Sequence, residues 1–206
     1  MINNLQTEFG NIDIYLFDQL LKGRYNDCRK VIDLGCGTGR NIVYFLRNGY
    51  EVHALDIDPA AVEYVKDLSA RLSTENPPSN FVLARVEEIP YEDASFDLAI
   101  CNTVFHFASG PENFDEMVKS VWRVIKPGGY LFARLASDIG LETSMQALGK
   151  GRYLMPDGTV RFLVNEQILL KYNRILDADM YEPIKTTNVN NLRCMTTWCL
   201  QKKEMN

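Results

Sequence analysis

Residues 30–40 read Lys-Val-Ile-Asp-Leu-Gly-Cys-Gly-Thr-Gly-Arg, and the fold class follows from this stretch. Lys30 to Leu34 is a short apolar run stopped by Gly35, as expected of a strand buried on both faces of a parallel sheet. Thr38 to Asn48 carries Ile42, Val43, Phe45 and Leu46 at helical spacing and is closed by Gly49. A strand that enters a helix through Gly35, Gly37 and Gly39 can turn tightly and let a ligand approach its backbone. In the dinucleotide-binding fingerprint the third glycine stands three residues after the second. Here that place is held by Arg40, and Gly39 comes one residue early. An acid, Asp33, precedes the loop. It would repel a pyrophosphate but could receive an ammonium group. Asp56 ends the next apolar run about 20 residues on, where an acid binds ribose hydroxyls in doubly wound folds.

Working outward, Glu51 to Asp56 predicts a second strand, and Asp58-Pro59 opens a helix with Asp58 as N-cap and Pro59 at the first position. Val62, Val65, Leu68 and Leu72 mark that helix's inner face, and Asn76-Pro77-Pro78 breaks it. Further strands are expected at Phe81–Val86, Asp97–Asn102 and Tyr130–Ala136, with a helix over 111–125 before the Lys126-Pro127-Gly128-Gly129 stop. Alternating strands and helices imply right-handed crossovers and a parallel sheet. Residues 4–22 read as an amphipathic helix weakened by Gly10. Residues 141–163 read as a long excursion with little periodicity, followed by a helix at 165–173. Two strands, 174–186 and 192–202, then form a hairpin through Asn188-Val189-Asn190-Asn191. The expected organisation is one domain: a helical cover (1–25), a core (26–137), a candidate lid (138–164), and a helix with hairpin (165–206).

The chain has 206 residues and a formal net charge of -5, a poor match to a polyphosphate, so nucleic acid is not an expected partner. No apolar run reaches the roughly 20 residues of a membrane helix. The first residues lack the order of a signal peptide, so a cytoplasmic chain is the expectation. Five irregularly spaced cysteines and two histidines, His53 and His106, supply little material for a metal site, and none is expected.

The series Asp33 to Gly39, Asp56, Ile89-Pro90-Tyr91 before Ser95-Phe96-Asp97-Leu98, and Ile125-Lys126-Pro127-Gly128-Gly129 resembles that of class I S-adenosylmethionine (SAM)-dependent methyltransferases of the type 11-like domain, over residues 30–137. The resemblance implies an α/β, doubly wound, mostly parallel seven-stranded sheet with an antiparallel C-terminal hairpin. It implies SAM as cofactor and S-adenosylhomocysteine as product. Asp33, Gly35, Cys36, Gly37 and Gly39 would hold the methionine part. Asp56 would take the ribose, Ile57 would pack on adenine, Val86 and Glu87 would meet its edge, and Cys101 and Asn102 would lie near the methyl. Family members often carry Asp where this chain has Arg85, which cannot accept a hydrogen bond. Glu87 or backbone carbonyls would have to substitute. Gly39-Arg40-Asn41 and Leu192-Arg193-Cys194-Met195 are more loosely similar to the tellurite-resistance type.

The residues after the fourth strand, Asn102-Thr103-Val104-Phe105, lack the Pro-Pro-aromatic turn of nucleobase amino methylation, and the acids of metal-dependent catechol methylation are also missing. A metal-free, in-line transfer to a small molecule, or to a protein side chain, therefore remains, and the small molecule is the expectation. His106 is the candidate base, the alternative being a polar side chain that fills an aromatic pocket. Phe105, Arg152 and Arg161 are candidate acceptor contacts. The two arginines, with Lys150, outweigh Glu142 and Asp157 and suggest an anionic acceptor. His53, alternating on a strand, is expected to face solvent; Tyr15 and Phe17 are expected to pack the N-terminal helix on the core, the alternative being a cover over SAM, and Trp122 and Trp198 are expected in the core or hairpin. Two rival readings are a catalytically silent SAM-binding protein, separable only by turnover, and a nicotinamide-dependent oxidoreductase, disfavoured by Arg40.

Overall fold

A computed structural model describes residues 5–73, 75–141 and 145–204. The first strand, β1 (Lys30–Leu34), lies in the middle of the sheet, parallel to β2 (Glu51–Asp56) on one side and β4 (Phe96–Asn102) on the other. Beyond them stand β3 (Phe81–Leu83) and β5 (Ile125–Ser137). The far edge is β11 (Arg193–Lys202), antiparallel to β5, with β10 (Lys185–Val189) antiparallel to β11. The order β3-β2-β1-β4-β5-β11-β10 is the expected mostly parallel sheet closed by a C-terminal hairpin. The hairpin's first strand is interrupted: β9 (Ala178–Met180) pairs with Leu200–Lys202, and β10 resumes farther along β11. Pro183, which cannot donate to the ladder, sits in the gap.

Helices α4 (Pro59–Leu72) and α5 (Pro111–Val124) run where the sequence places them. Asp58 caps α4 by accepting from the Ala60 amide, and Pro59 follows. Three segments differ from expectation. The N-terminal helix is two, α1 (Leu5–Phe9) and α2 (Ile14–Leu21), because Gly10 adopts a left-handed φ of 61°. The helix after the glycine loop is short: α3 spans only Val43–Arg47, and residues 38–42 are turns. The last helix, α6 (Glu166–Ile175), starts one residue later and ends two residues later than expected, capped by Asn165 accepting from the Ile168 amide.

The excursion is ordered structure. Strands β6 (Gln146–Gly149), β7 (Arg152–Leu154) and β8 (Val160–Phe162) form a separate antiparallel sheet. It docks through Phe162, which stacks on Phe114 of α5 at 5.1 Å between ring centroids. Val164 bridges to Ser137 at the end of β5. Glu142 lies outside the described residues.

The histidine on β2 does not face solvent. His53 is buried, with Nδ1 3.1 Å from the Tyr91 hydroxyl and Nε2 2.9 Å from Glu51 Oε1. A central parallel strand is covered on both faces, so alternation carries no exposed side. Trp198 is fully buried and donates from Nε1 to Asn173 Oδ1 at 2.8 Å, a core role as expected. No helix among the described residues is long and apolar enough to cross a membrane.

Candidate functional site

Two cavities open side by side at the C-terminal ends of the parallel strands, where ligands bind in open α/β sheets. The first, about 430 Å³, is lined by Gly35, Asp56, Ile57, Val86 and Glu87, among others. The second, about 410 Å³, is lined by Arg40, His106, Arg134, Arg161 and Arg193, with Asp157 the carboxylate on its wall. Thr103 and Phe107 line both. Thr103 is strained: a residue with a side chain holds a left-handed φ of 65° directly after β4. Its amide donates to the Arg134 carbonyl at 2.7 Å, and its hydroxyl donates to the Asn102 carbonyl. Backbone strain of this kind persists only where surrounding structure holds it, and functional sites are where it collects.

Of the glycine loop, Gly35 lines the first cavity, whereas Gly37 and Asp33 do not. Gly35 has φ 71°, and a Cβ there would stand 2.3 Å from Val104 Cγ2. Gly37 also has positive φ, 50°, but a Cβ there would meet nothing within 4 Å. The first glycine is required by packing, whereas the second faces open space. Asp56 Oδ2 accepts from the Gly37 amide at 2.8 Å and Oδ1 from the Asp58 amide at 3.0 Å, which fixes the carboxylate at the cavity wall. Ile57 beside it is 67% exposed, an apolar side chain left open to this cavity. Glu87 Oε1 receives Arg85 Nη2 at 3.0 Å and Asn113 Nδ2 at 2.8 Å. Arg85 is thus neutralised by a neighbour, and the Glu87 carboxyl lies below the usual range, held there by these bonds against the cost of burial.

Asp33 is fully enclosed under the loop, and its Oδ2 has no hydrogen-bond partner. Burial pushes its carboxyl up from 3.8 to about 7; the Arg40 cation opposes this and the Asp56 charge adds to it. Cys36 and Cys101 are buried thiols whose ionisation is pushed up by burial, and neither lines a cavity. Asn102 is also buried; its Oδ1 accepts from Arg40 Nη2 at 3.3 Å and its Nδ2 is unpartnered. Gly39 packs under Leu68 and Val65 of α4 and does not line the cavity.

In the second cavity His106 is buried, and its Nδ1 accepts from the Ala136 amide at 3.2 Å. The neutral ring therefore carries its proton on Nε2. Burial, then the Arg161 cation, pushes its pKa down from 6.5 to about 3. Arg161 lies over the Phe107 ring, 4.8 Å from its centroid. Arg134 pairs with Asp13 at 2.8 Å and lies over the Tyr15 ring, yet its buried Nε has no partner. Arg193 stands 3.6 Å from Asp157.

Of the acceptor contacts expected from sequence, Arg161 lines the second cavity. Arg152 is exposed on β7 and does not. Phe105 is fully buried in the core against Phe114, and Phe107, two residues on, forms the shared wall instead. Neither Tyr15 nor Phe17 reaches the first cavity; Phe17 packs on Phe9. Sequence reasoning missed Thr103, Asn113 and Met117 in the first cavity and Arg134 and Arg193 in the second.

Residues 32–133 match the family model described as a methyltransferase domain. An uncharacterized methyltransferase of Synechocystis sp., sll0829, is 32% identical over 101 residues, 49% of this chain and 44% of the relative. A malonyl-[acyl-carrier protein] O-methyltransferase of Enterobacter lignolyticus is 32% identical over 110 residues, 53% of this chain and 40% of the relative. The chain thus matches less than half the length of these curated relatives. Among solved structures, the PH0226 protein of Pyrococcus horikoshii OT3 superposes with a TM-score of 0.72 at 17% identity, covering 96% of both chains. The Burkholderia thailandensis 1,6-didemethyltoxoflavin-N1-methyltransferase, solved with 1,6-didemethyltoxoflavin and S-adenosylhomocysteine, superposes at 0.70 with 18% identity, covering 98% of this chain and 82% of that one. At such identities the likeness is one of fold.

Proposed function

The chain belongs to the class I SAM-dependent methyltransferase family, and from that premise we propose that it binds SAM in the first cavity and methylates a small anionic acceptor held in the second. The observation that carries the proposal is the shared wall: two cavities of metabolite size meet at Thr103 and Phe107, one bearing Asp56 and the other four arginines. SAM supplies a methyl group activated on a sulfonium, so the protein's part is chiefly alignment and exclusion of water.

The residues present fit this cofactor. Asp56 has its carboxylate fixed at the wall for ribose hydroxyls, and exposed Ile57 would cover the adenine. Glu87 offers the acceptor that Arg85 lacks, since Arg85 and Asn113 occupy only Oε1. Asp33, with an orphaned buried oxygen, would take the ammonium, directly or through water. The open space over Gly37 suits the close approach of a ligand.

Asp33→Asn provides a two-sided test. The folded pKa of about 7 lies above the ordinary 3.8, so Asp33 favours folding below pH 3.8 and loses that contribution as pH rises through 7. At pH 8 the Asn variant should therefore be the more stable protein. Its Tm should exceed wild type by about 3 °C or more, since 1 kcal/mol moves a domain of this size by roughly 2–4 °C. The same variant should bind S-adenosylhomocysteine more weakly. Equal Tm at pH 8 and unchanged affinity would remove Asp33 from this role.

His106 in this reading is a hydrogen-bond donor to the acceptor rather than a base, because Nδ1 is engaged and Nε2 already carries the proton. Its pKa of about 3 keeps it neutral across the physiological range. Turnover should show no histidine titration over roughly pH 6–9. His106→Ala should raise acceptor KM while S-adenosylhomocysteine affinity holds. A wild-type inflection near 6.5 that disappears in His106→Ala would restore the base.

Methyl transfer itself is tested with SAM labelled in the methyl group and a panel of anionic, neutral and cationic metabolites. Label should be transferred only to anionic acceptors. Label in neutral acceptors would overturn the anionic reading, and SAM binding without transfer to any acceptor would favour a silent binding protein.

A further inference from the structure

The four arginines of the second cavity are arranged in space by strand register. Met195 on β11 stands opposite Ala136 on β5, and opposed residues share a face of the sheet. Arg134 precedes Ala136 by two residues, and Arg193 lies two residues beyond Met195 in the opposite direction. The two guanidinium-bearing positions are therefore four residue steps apart along one face, about 13 Å of backbone at roughly 3.3 Å per residue. Between them the lining is Ala136 and Met195, with Met155 also on the wall. Arg134 marks the cofactor end: it pairs with Asn102, the last residue of β4, next to the shared Thr103. Arg193 marks the distal end. Arg161 lies over Phe107 of the shared wall and beside His106, whose Nδ1 is bound to the Ala136 amide.

Charge follows the same division. Asp13 serves Arg134 and Arg40, and Asp157 lies 3.6 Å from Arg193. Among the described residues no carboxylate lies within ion-pair distance of Arg161. Four guanidiniums thus meet two carboxylates, leaving two positive charges at a cavity with an apolar middle. The buried Arg134 Nε and Asn102 Nδ2, both unpartnered, are donors left over at the cofactor end. Proton acceptors are scarce here: His106 Nδ1 is occupied, Asp13 is paired, and Asp157 Oδ1 accepts from the Thr159 amide and hydroxyl. An acceptor that had to be deprotonated would find no base, whereas an ionised one needs none.

We infer that the acceptor is a small elongated dicarboxylate, methylated on one carboxylate oxygen to give its monomethyl ester. This inference rests on the proposed methyl-transfer reading and specifies its substrate class. Arg193 holds the distal carboxylate, where a planar fork suits two oxygens, and Arg161, over Phe107, faces the proximal one. The apolar stretch passes Ala136 and Met195. The proximal carboxylate lies at the Thr103–Phe107 wall. There one of its oxygens forms the O–CH3 bond as the S–CH3 bond breaks with its electron pair kept by sulfur. The acceptor loses one negative charge, and no proton moves.

The test is calorimetric titration of the protein saturated with S-adenosylhomocysteine, using straight-chain dicarboxylates from succinate to suberate. One or more chain lengths should bind, and Arg193→Gln and Arg161→Gln should each weaken that binding about 10-fold or more. S-adenosylhomocysteine affinity and Tm should hold in both variants, and Lys119→Gln, exposed on α5 away from both cavities, should change nothing. With SAM in place of the product, mass spectrometry should find the monomethyl ester. The inference is overturned if hexanoate or adipamide binds as tightly as the best diacid, if only inorganic oxyanions bind, if both arginine variants bind diacid normally, or if no diacid binds the S-adenosylhomocysteine complex. That complex failing to form would instead overturn the methyl-transfer reading.

Discussion

Gly35→Val should abolish cofactor binding, with no detectable heat at S-adenosylhomocysteine concentrations that saturate the wild type. Gly35 has φ 71°, a conformation that costs a residue with a side chain about 1–2 kcal/mol and a branched one more. Even the first added carbon would lie 2.3 Å from Val104 Cγ2, inside any permitted contact. Val104 itself lines the first cavity, so relief of the clash comes at the ligand's expense. Overpacking of this kind adds about 1–3 kcal/mol of destabilisation, which should appear as a lowered Tm. Gly37→Ala separates the two effects. Its Cβ meets no protein atom within 4 Å, so the fold should suffer only the left-handed strain while the ligand's space is taken. A Gly35→Val protein that binds normally would show that the loop does not contact the ligand.

Asp56→Ala should weaken S-adenosylhomocysteine binding by about 10-fold to 100-fold. Charge-assisted hydrogen bonds contribute roughly 1.5–3 kcal/mol each, and about 1.4 kcal/mol is tenfold. The side chain also receives the amides of Gly37 and Asp58, so its loss frees the glycine loop as well as the ribose site. Asp56→Asn, which keeps one acceptor oxygen, should fall between the alanine variant and wild type. Calorimetry on folded protein decides the matter. Wild-type affinity in Asp56→Ala would place the ribose elsewhere.

The first cavity was legible because its signals are local. Gly35, Gly37 and Asp56 announce themselves by turn chemistry and by position at strand ends, and the β1 and β2 runs are apolar and sharply bounded. The second cavity was not. Arg134 and Arg193 share one cavity only through the β5–β11 register, which joins residues some sixty positions apart and leaves no local pattern. Arg40 stood out only as a glycine that was missing. Phe105 and Phe107 flank one turn, and sequence could not tell which ring would be buried and which would form the wall. The excursion hid its sheet because β6, β7 and β8 have three or four residues each and bury little apart from Phe162, too little for a period to show. His53 was misread for the opposite reason. It lies on a strand covered on both faces, where alternation predicts nothing about exposure.

The most direct measurement is a pair of calorimetric titrations of the wild-type protein, one with S-adenosylhomocysteine and one with NAD. Saturable one-site binding of S-adenosylhomocysteine, lost in Gly35→Val, is the expected result, with no heat from NAD. Binding of NAD without binding of S-adenosylhomocysteine would overturn the cofactor assignment.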